Sequence, residues 1–206
     1  WYREYLLNEL ADPCSVVGIS NLEYDVNTIV ADMRKRLGVG LFPDRGDSDD
    51  YYRDLVDRIE ALGIMVMRQS YLRSTTRRFR VEEFRGFAIT DQYAPVIFVN
   101  HADAPGPRLF TLIHELCHIW LGITGVSDAD EQTHRDSERF CNAVAAEFLV
   151  PEVELRQHWR DVDDWEQLIA EISWHFKVSK WVIARRAMTL GLISNTVCNA
   201  YIAKQI

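Results

Sequence analysis

Residues Leu109–Leu121 read LFTLIHELCHIWL, and only Thr111, His114, Glu115 and His118 interrupt an otherwise apolar run. A helix apolar around most of its circumference is predicted to be central and buried. Polar groups inside such a helix are costly unless they have partners, so they carry the information. His114 and His118 stand four residues apart, ~6 Å along a helix axis and about 40° around it, so both imidazoles can reach one ion. Glu115 is rotated by roughly 100° from His114, which frees it to act on a water at that ion instead of binding the ion. The pattern is HExxH, set in the middle of a helix.

A catalytic zinc site of this kind needs a third protein ligand and an open fourth position. The extended pattern HExxHxxGxxH is not met, because Leu121 and Thr124 occupy its glycine and third-histidine positions. Asp130 to Pro151 predicts a second helix, with Phe140, Val144, Phe148 and Leu149 on its apolar face. Two helices joined by a loop become antiparallel neighbours. Glu138 can then face the histidine pair and is the preferred third ligand. His134, one turn earlier, and Asp136 are the rivals. Asn142 falls one turn after Glu138 on the same side.

Upstream, Asn21 to Leu37 carries Val26, Ile29, Val30, Met33 and Leu37 at helical spacing. Leu55, Val56, Ile59 and Leu62 mark a second amphipathic helix ending at Gly63. Ile64 to Met67, Phe84 to Thr90 and Pro95 to Asn100 read as strands of a small sheet. Between them, Ser70 to Arg80 holds Arg73, Arg77, Arg78 and Arg80, read as a solvated loop, with a substrate-facing basic edge as the sharper alternative. The fold class expected is α+β, a small sheet packed on the HExxH helix with helices elsewhere.

At 206 residues, with 48% hydrophobic and 26% charged residues, the chain has ordinary globular composition and length for one domain or one domain with a small appendage. Its longest apolar runs are too short to span a bilayer, and no signal peptide opens it. Cys14, Cys117, Cys141 and Cys198 form neither a CxxC pair nor a disulfide framework, which points to a reducing, cytoplasmic setting. A net charge of −8 argues against the chain as a whole binding nucleic acid directly. Past Pro151 comes an acidic turn (Asp161, Asp163, Asp164), then a helix from Trp165 to Phe176. Ser179 caps another that runs to Leu190 before Gly191. The pair resembles a helix-turn-helix, with Lys180, Arg185 and Arg186 on the second helix. Packing is the favoured role; contact with DNA or with a substrate protein is the alternative.

His114-Glu-Leu-Cys-His118, followed by Glu138-Arg-Phe-Cys-Asn142-Ala-Val-Ala145-Ala146-Glu-Phe-Leu149-Val-Pro151, resembles the ImmA/IrrE family of metallopeptidases. Its members pair HExxH with a downstream ExxxNxxAAxxLxP helix. Phe84-Arg-Gly-Phe87, Pro95 to Asn100, Phe176 to Ser179 and Leu190 to Ile193 extend the similarity over most of the chain from about Ile64. The resemblance implies a cytoplasmic zinc-dependent endopeptidase with one zinc per chain, or another divalent metal in the cell. Its protein substrate would be a helix-turn-helix repressor, cut to relieve repression of stress-response, prophage or mobile-element genes. It implies the ligands His114, His118 and Glu138 and the general base Glu115. Asn142 is expected to orient Glu138 or to cap the site. Tyr93, Arg85, His101 and His134 are the candidates for sharing oxyanion charge, with no choice among them. The expected division is a zincin-like domain with N-terminal helices over 1–160 and a helical, helix-turn-helix-like subdomain over 161–206. The opening Trp1-Tyr-Arg-Glu-Tyr5 without Met fits the peptidase half of a fusion with an N-terminal helix-turn-helix domain. Cys117 and Cys141 depart from the small residues common in the family and are read as packing, with an oxidant-sensing thiol as the alternative. A non-proteolytic metal-binding regulatory module is the competing function.

Overall fold

Helix α1 (Tyr2–Asn8) opens the chain, followed by α2 (Val26–Leu37) and α3 (Ser48–Glu60). Strands β1 (Met65–Gln69), β2 (Gly86–Ile89) and β3 (Val96–Asn100) come next. Then come α4 (Pro105–Leu121), α5 (Glu131–Leu149), α6 (Glu152–His158), α7 (Trp165–Phe176), α8 (Lys180–Thr189) and α9 (Asn195–Ala203). The computed structural model describes residues 2–9, 11–71, 78–124, 131–160, 162 and 164–204. Arg73, Arg77, Asp130, Asp161 and Asp163 lie outside the described residues.

The α+β architecture is as the sequence predicts. The strands form one three-stranded sheet in the order β1-β3-β2, with β1 parallel and β2 antiparallel to β3. Val66, Ala88, Ile97 and Val99 are buried on the face that packs toward α4. On the other face Phe87 stacks on Phe98, with ring centroids 5.1 Å apart. Gly86 brings β2 so near α4 that a Cβ there would lie 2.5 Å from Thr111 Cγ2 and 3.2 Å from Glu115 Cγ.

Helix α4 begins with Pro105, whose missing N–H costs nothing at that position. It ends at Gly122 in the left-handed region (φ 67), whose N–H bonds His118 O and Ile119 O. A Cβ on Gly122 would stand 2.9 Å from Gly18 Cα, so the N-terminal loop also relies on that glycine. Leu112, Ile113, Leu116, Cys117 and Trp120 are fully buried. The Trp120 indole N–H donates to Asp32 of α2 at 2.9 Å.

Three local differences from the sequence reading are instructive. Helix α2 starts at Val26, not near Asn21, because the Asp25 carboxylate accepts the Thr28 N–H and fixes the start. Helices α1, α6 and α9 are additional. Arg186 does not lie on an outward basic face of α8: it is buried, ion-paired with Glu147 of α5, and donates to Val150 O at 3.2 Å. From the other side Arg34 of α2 donates to Phe148 O and lies over the Phe148 ring. Two guanidiniums thus meet the carboxyl end of α5, where helical carbonyls lack backbone partners. One buried hydrophobic cluster includes residues from α2 through α9.

Candidate metal centre

Helices α4 and α5 pack side by side. Their numbering runs in opposite directions: His114 and His118 meet Glu138, while Phe110 shares a cleft with Asn142 and Ala146. His118 Nε2 lies 3.2 Å from His114 Nε2. Glu138 Oε2 is 3.3 Å from His114 Nε2 and Oε1 is 3.1 Å from His118 Nε2. The three donor atoms fall within 4.8 Å of one another, the one such grouping found among the described residues. His118 is buried at 3% side-chain exposure and His114 partly buried at 13%, whereas Glu138 at 36% leaves the group open on its own side.

The charges are arranged as a cation site requires. Burial alone would lower the His118 pKa, but the Cys141 thiol and the Glu138 carboxylate against it raise it to about 10. Hydrogen bonds from His114 and His118 hold the Glu138 carboxyl well below the usual range. The Glu138 carboxylate thus faces both imidazoles directly. The Nδ1 atoms of both histidines are buried without hydrogen-bond partners, so each ring engages the group through Nε2. Two imidazole nitrogens and one carboxylate oxygen suit zinc or a similar first-row divalent ion, and the residues present fit such an ion.

Glu115 is 8% exposed, and burial raises its carboxyl pKa, opposed by His114 and His118. The Cys141 thiol is pushed up by a hydrogen bond with Cys117 and by burial. Both cysteines are fully buried between α4 and α5, free of disulfides.

The remaining sequence candidates are dispersed. His134 is exposed, its carbonyl taken by the Ser137 hydroxyl at 2.8 Å, and it stands outside the ligand group. Asp136 is exposed and 3.9 Å from Arg139. Asn142 lines the neighbouring cleft without a hydrogen bond to Glu138. Arg85 lines the same cleft and pairs with Asp103 at 3.0 Å. His101 lies 2.7 Å from Arg108 Nη1; burial and that guanidinium lower its pKa. Tyr93 sits in the turn before β3, its N–H bonded to Asp91. The sequence reading overlooked Gly86 and the cleft residues Arg139 and Trp181. A lone glycine inside a strand pattern, a known sign of close backbone approach, was the available signal for the first.

Residues 59–188 match the family model Peptidase_M78, an IrrE N-terminal-like domain. The fold is similar to that of a solved Mycobacterium tuberculosis transcriptional regulator, with a TM-score of 0.53 at 19% identity. That likeness covers 90% of this chain and 50% of the other, so the chain spans about half the length of that regulator. No curated protein matches.

Proposed function

The chain belongs to the Peptidase_M78 family, a family of metallopeptidase character, and on that premise we propose that it is a zinc-dependent endopeptidase. In this reading His114, His118 and Glu138 hold the ion and Glu115 is the general base. The observation that carries it is the convergence of three nitrogen and oxygen donors from α4 and α5 within 4.8 Å, with Glu115 adjacent in sequence to one of them. An ion held there would polarise a scissile carbonyl and acidify a water, the chemistry that amide hydrolysis needs.

The chain's own residues supply the rest. Glu115 takes a proton from the attacking water and returns it to the leaving amine. Gly86 lets β2, an edge strand of the sheet, lie against Glu115, where a substrate backbone can add as a further strand beside the base.

The substrate is a protein, and the finer reading is a helix-turn-helix repressor cut at a specific site in the cytoplasm to relieve repression. That reading is supported by the resemblance carried in the Glu138–Pro151 motif. Residues 161–206 act as a packing subdomain for the peptidase, a role supported by the inward Arg186–Glu147 pair. Among the described residues no helix is long and apolar enough to cross a membrane.

The test is metal content after zinc loading and desalting, for wild type beside Glu138→Ala. About one zinc per wild-type chain, and a large loss in the variant, is the expected result. Equal retention by the variant would remove Glu138 from the ligand set.

A further inference from the structure

Next to the three donors, on the side of Phe110 and Asn142, opens a cleft of about 600 Å³ between α4, α5 and α8. Phe110 precedes His114 by one turn, with ring centroids 6.4 Å apart, and Asn142 follows Glu138 by one turn. The cleft thus begins about one helical turn, ~5.4 Å, from the donors. An extended peptide advances ~3.3 Å per residue, so a side chain about two residues from the cut bond reaches it.

The lining has two chemistries. Phe110, Ala143, Ala146, Trp181, Val182 and Met188 make apolar walls. Arg85, Arg139 and Arg185 add positive charge, and among the described residues no carboxylate lines the cleft. In a chain of net charge −8 this concentration of arginine is local and opposite in sign to the whole. The arginines are not consumed by structure. Arg185 and Arg139 are exposed, and the contact of Arg139 with Asp136 is long, 3.9 Å. Arg85 pairs with Asp103 through one nitrogen only and keeps 57% side-chain exposure. Exposed pairs of this kind hold an arginine weakly. Arg186, also in the lining, is the exception, committed to Glu147.

We propose that this cleft is the specificity pocket of the peptidase and selects a protein segment that carries an acidic side chain beside a large apolar one, about two residues from the cut. The apolar side chain packs between Phe110 and Trp181, and the carboxylate meets Arg139 and Arg185, whose planar guanidiniums suit carboxylates. The size and mostly apolar lining are those of a ligand pocket with a few polar groups that fix orientation. The inference rests on the peptidase reading, and the experiment separates the two.

The probe is a set of fluorescein-labelled octapeptides with a central Leu and, two positions away, Glu, Gln or Lys. Binding is measured on the full zinc-loaded chain carrying Glu115→Gln, and cleavage on the wild-type chain. The Glu peptides are expected to bind about tenfold more tightly than the Gln peptides. Arg139→Gln with Arg185→Gln should abolish the difference, and Arg139→Glu with Arg185→Glu should turn the preference toward Lys. Both positions are exposed, so the fold tolerates these changes, and unchanged circular dichroism verifies that. Equal binding of the three peptides, or a preference that survives charge reversal, overturns the pocket. So does tighter binding of a single-stranded DNA oligonucleotide than of the Glu peptides. Cleavage without charge preference removes the pocket and leaves the peptidase standing; an arginine-dependent preference without any cleavage does the reverse.

Discussion

Glu115 lies in a nearly dry environment one residue from His114, against the backbone of β2. Glu115→Gln preserves its volume and removes its ability to take a proton. Peptide hydrolysis is expected to fall by about 10²–10⁴-fold, while zinc content stays at the wild-type level. Rates above that range in a zinc-loaded variant would assign the base elsewhere. Gly86 makes a second prediction at this scale. In Gly86→Ala the new methyl meets Thr111 Cγ2 and the Phe98 carbonyl at 2.5 and 2.8 Å, so β2 must back away from α4. A loss of about 1–3 kcal/mol in denaturant-derived stability is expected, with hydrolysis reduced as the edge beside Glu115 shifts. The HExxH residues were legible because their chemistry is encoded in a short, fixed spacing. Glu138 needed a helix-pairing argument in addition. Arg139, Trp181 and Gly86 were not found, since their significance lies in what other segments bring near them.

The long helices were legible for a simple physical reason. Over α4 and α5 the apolar pattern repeats through several turns, and at Gly122 the stop signal is local. Helices α1, α6 and α9 have seven, seven and nine residues, too few turns for periodicity to stand out, and their stability comes from tertiary contact. Helix α6 did carry terminal signals: Glu152 and Glu154 in its first turn, Arg156 and His158 in its last. The parallel pairing of β1 with β3 was also hidden, because register between distant strands is not written in either one. Helix α6 supports a pH prediction. Glu154 is buried and accepts from both terminal nitrogens of the Arg45 guanidinium, at 2.8 and 2.7 Å, and pairs with His175 Nε2 at 2.8 Å. Burial would raise its carboxyl pKa, but Arg45 and His175 overcome this and hold it below its ordinary 4.5. A depressed folded pKa means the contribution is complete above 4.5 and drains as pH falls through the folded value. Denaturant midpoints should therefore drop on acidification below 4.5, and Arg45→Ala should cost about 1.5–3 kcal/mol at neutral pH, because it removes the charged donor pair and leaves His175 on the carboxylate. A midpoint indifferent to acid would show the pair to be idle.

At the scale of the molecule, overall charge misdescribes the surface that matters. The total of −8 counts against nucleic acid, yet the cleft beside the donors is arginine-lined, a distribution that no sum over the sequence conveys. The helix-turn-helix likeness of α7 and α8 was visible in sequence, but the inward turn of Arg186 was not, because burial depends on what α5 presents to it. Metal binding should stabilise the whole chain. Zinc at about a hundred times its dissociation constant is expected to add ~2.7 kcal/mol to folding, raising the melting temperature in a single transition that a chelator reverses. A separate, unshifted transition for part of the chain would argue against that linkage.

The two arginines at the carboxyl end of α5 extend this to the order in which the molecule comes apart. Arg34 reaches that end from α2 and Arg186 from α8, while Glu138 sits near the middle of the same helix. Opening that end of α5 must release segments from both halves of the chain at once, so the amides there have no shallow, private route to solvent. In deuterium exchange, the amides around Phe148 and Val150 should open together with those of α2 and α8, at the free energy of global unfolding. The helix that holds the third donor would then be among the last parts of the chain to exchange.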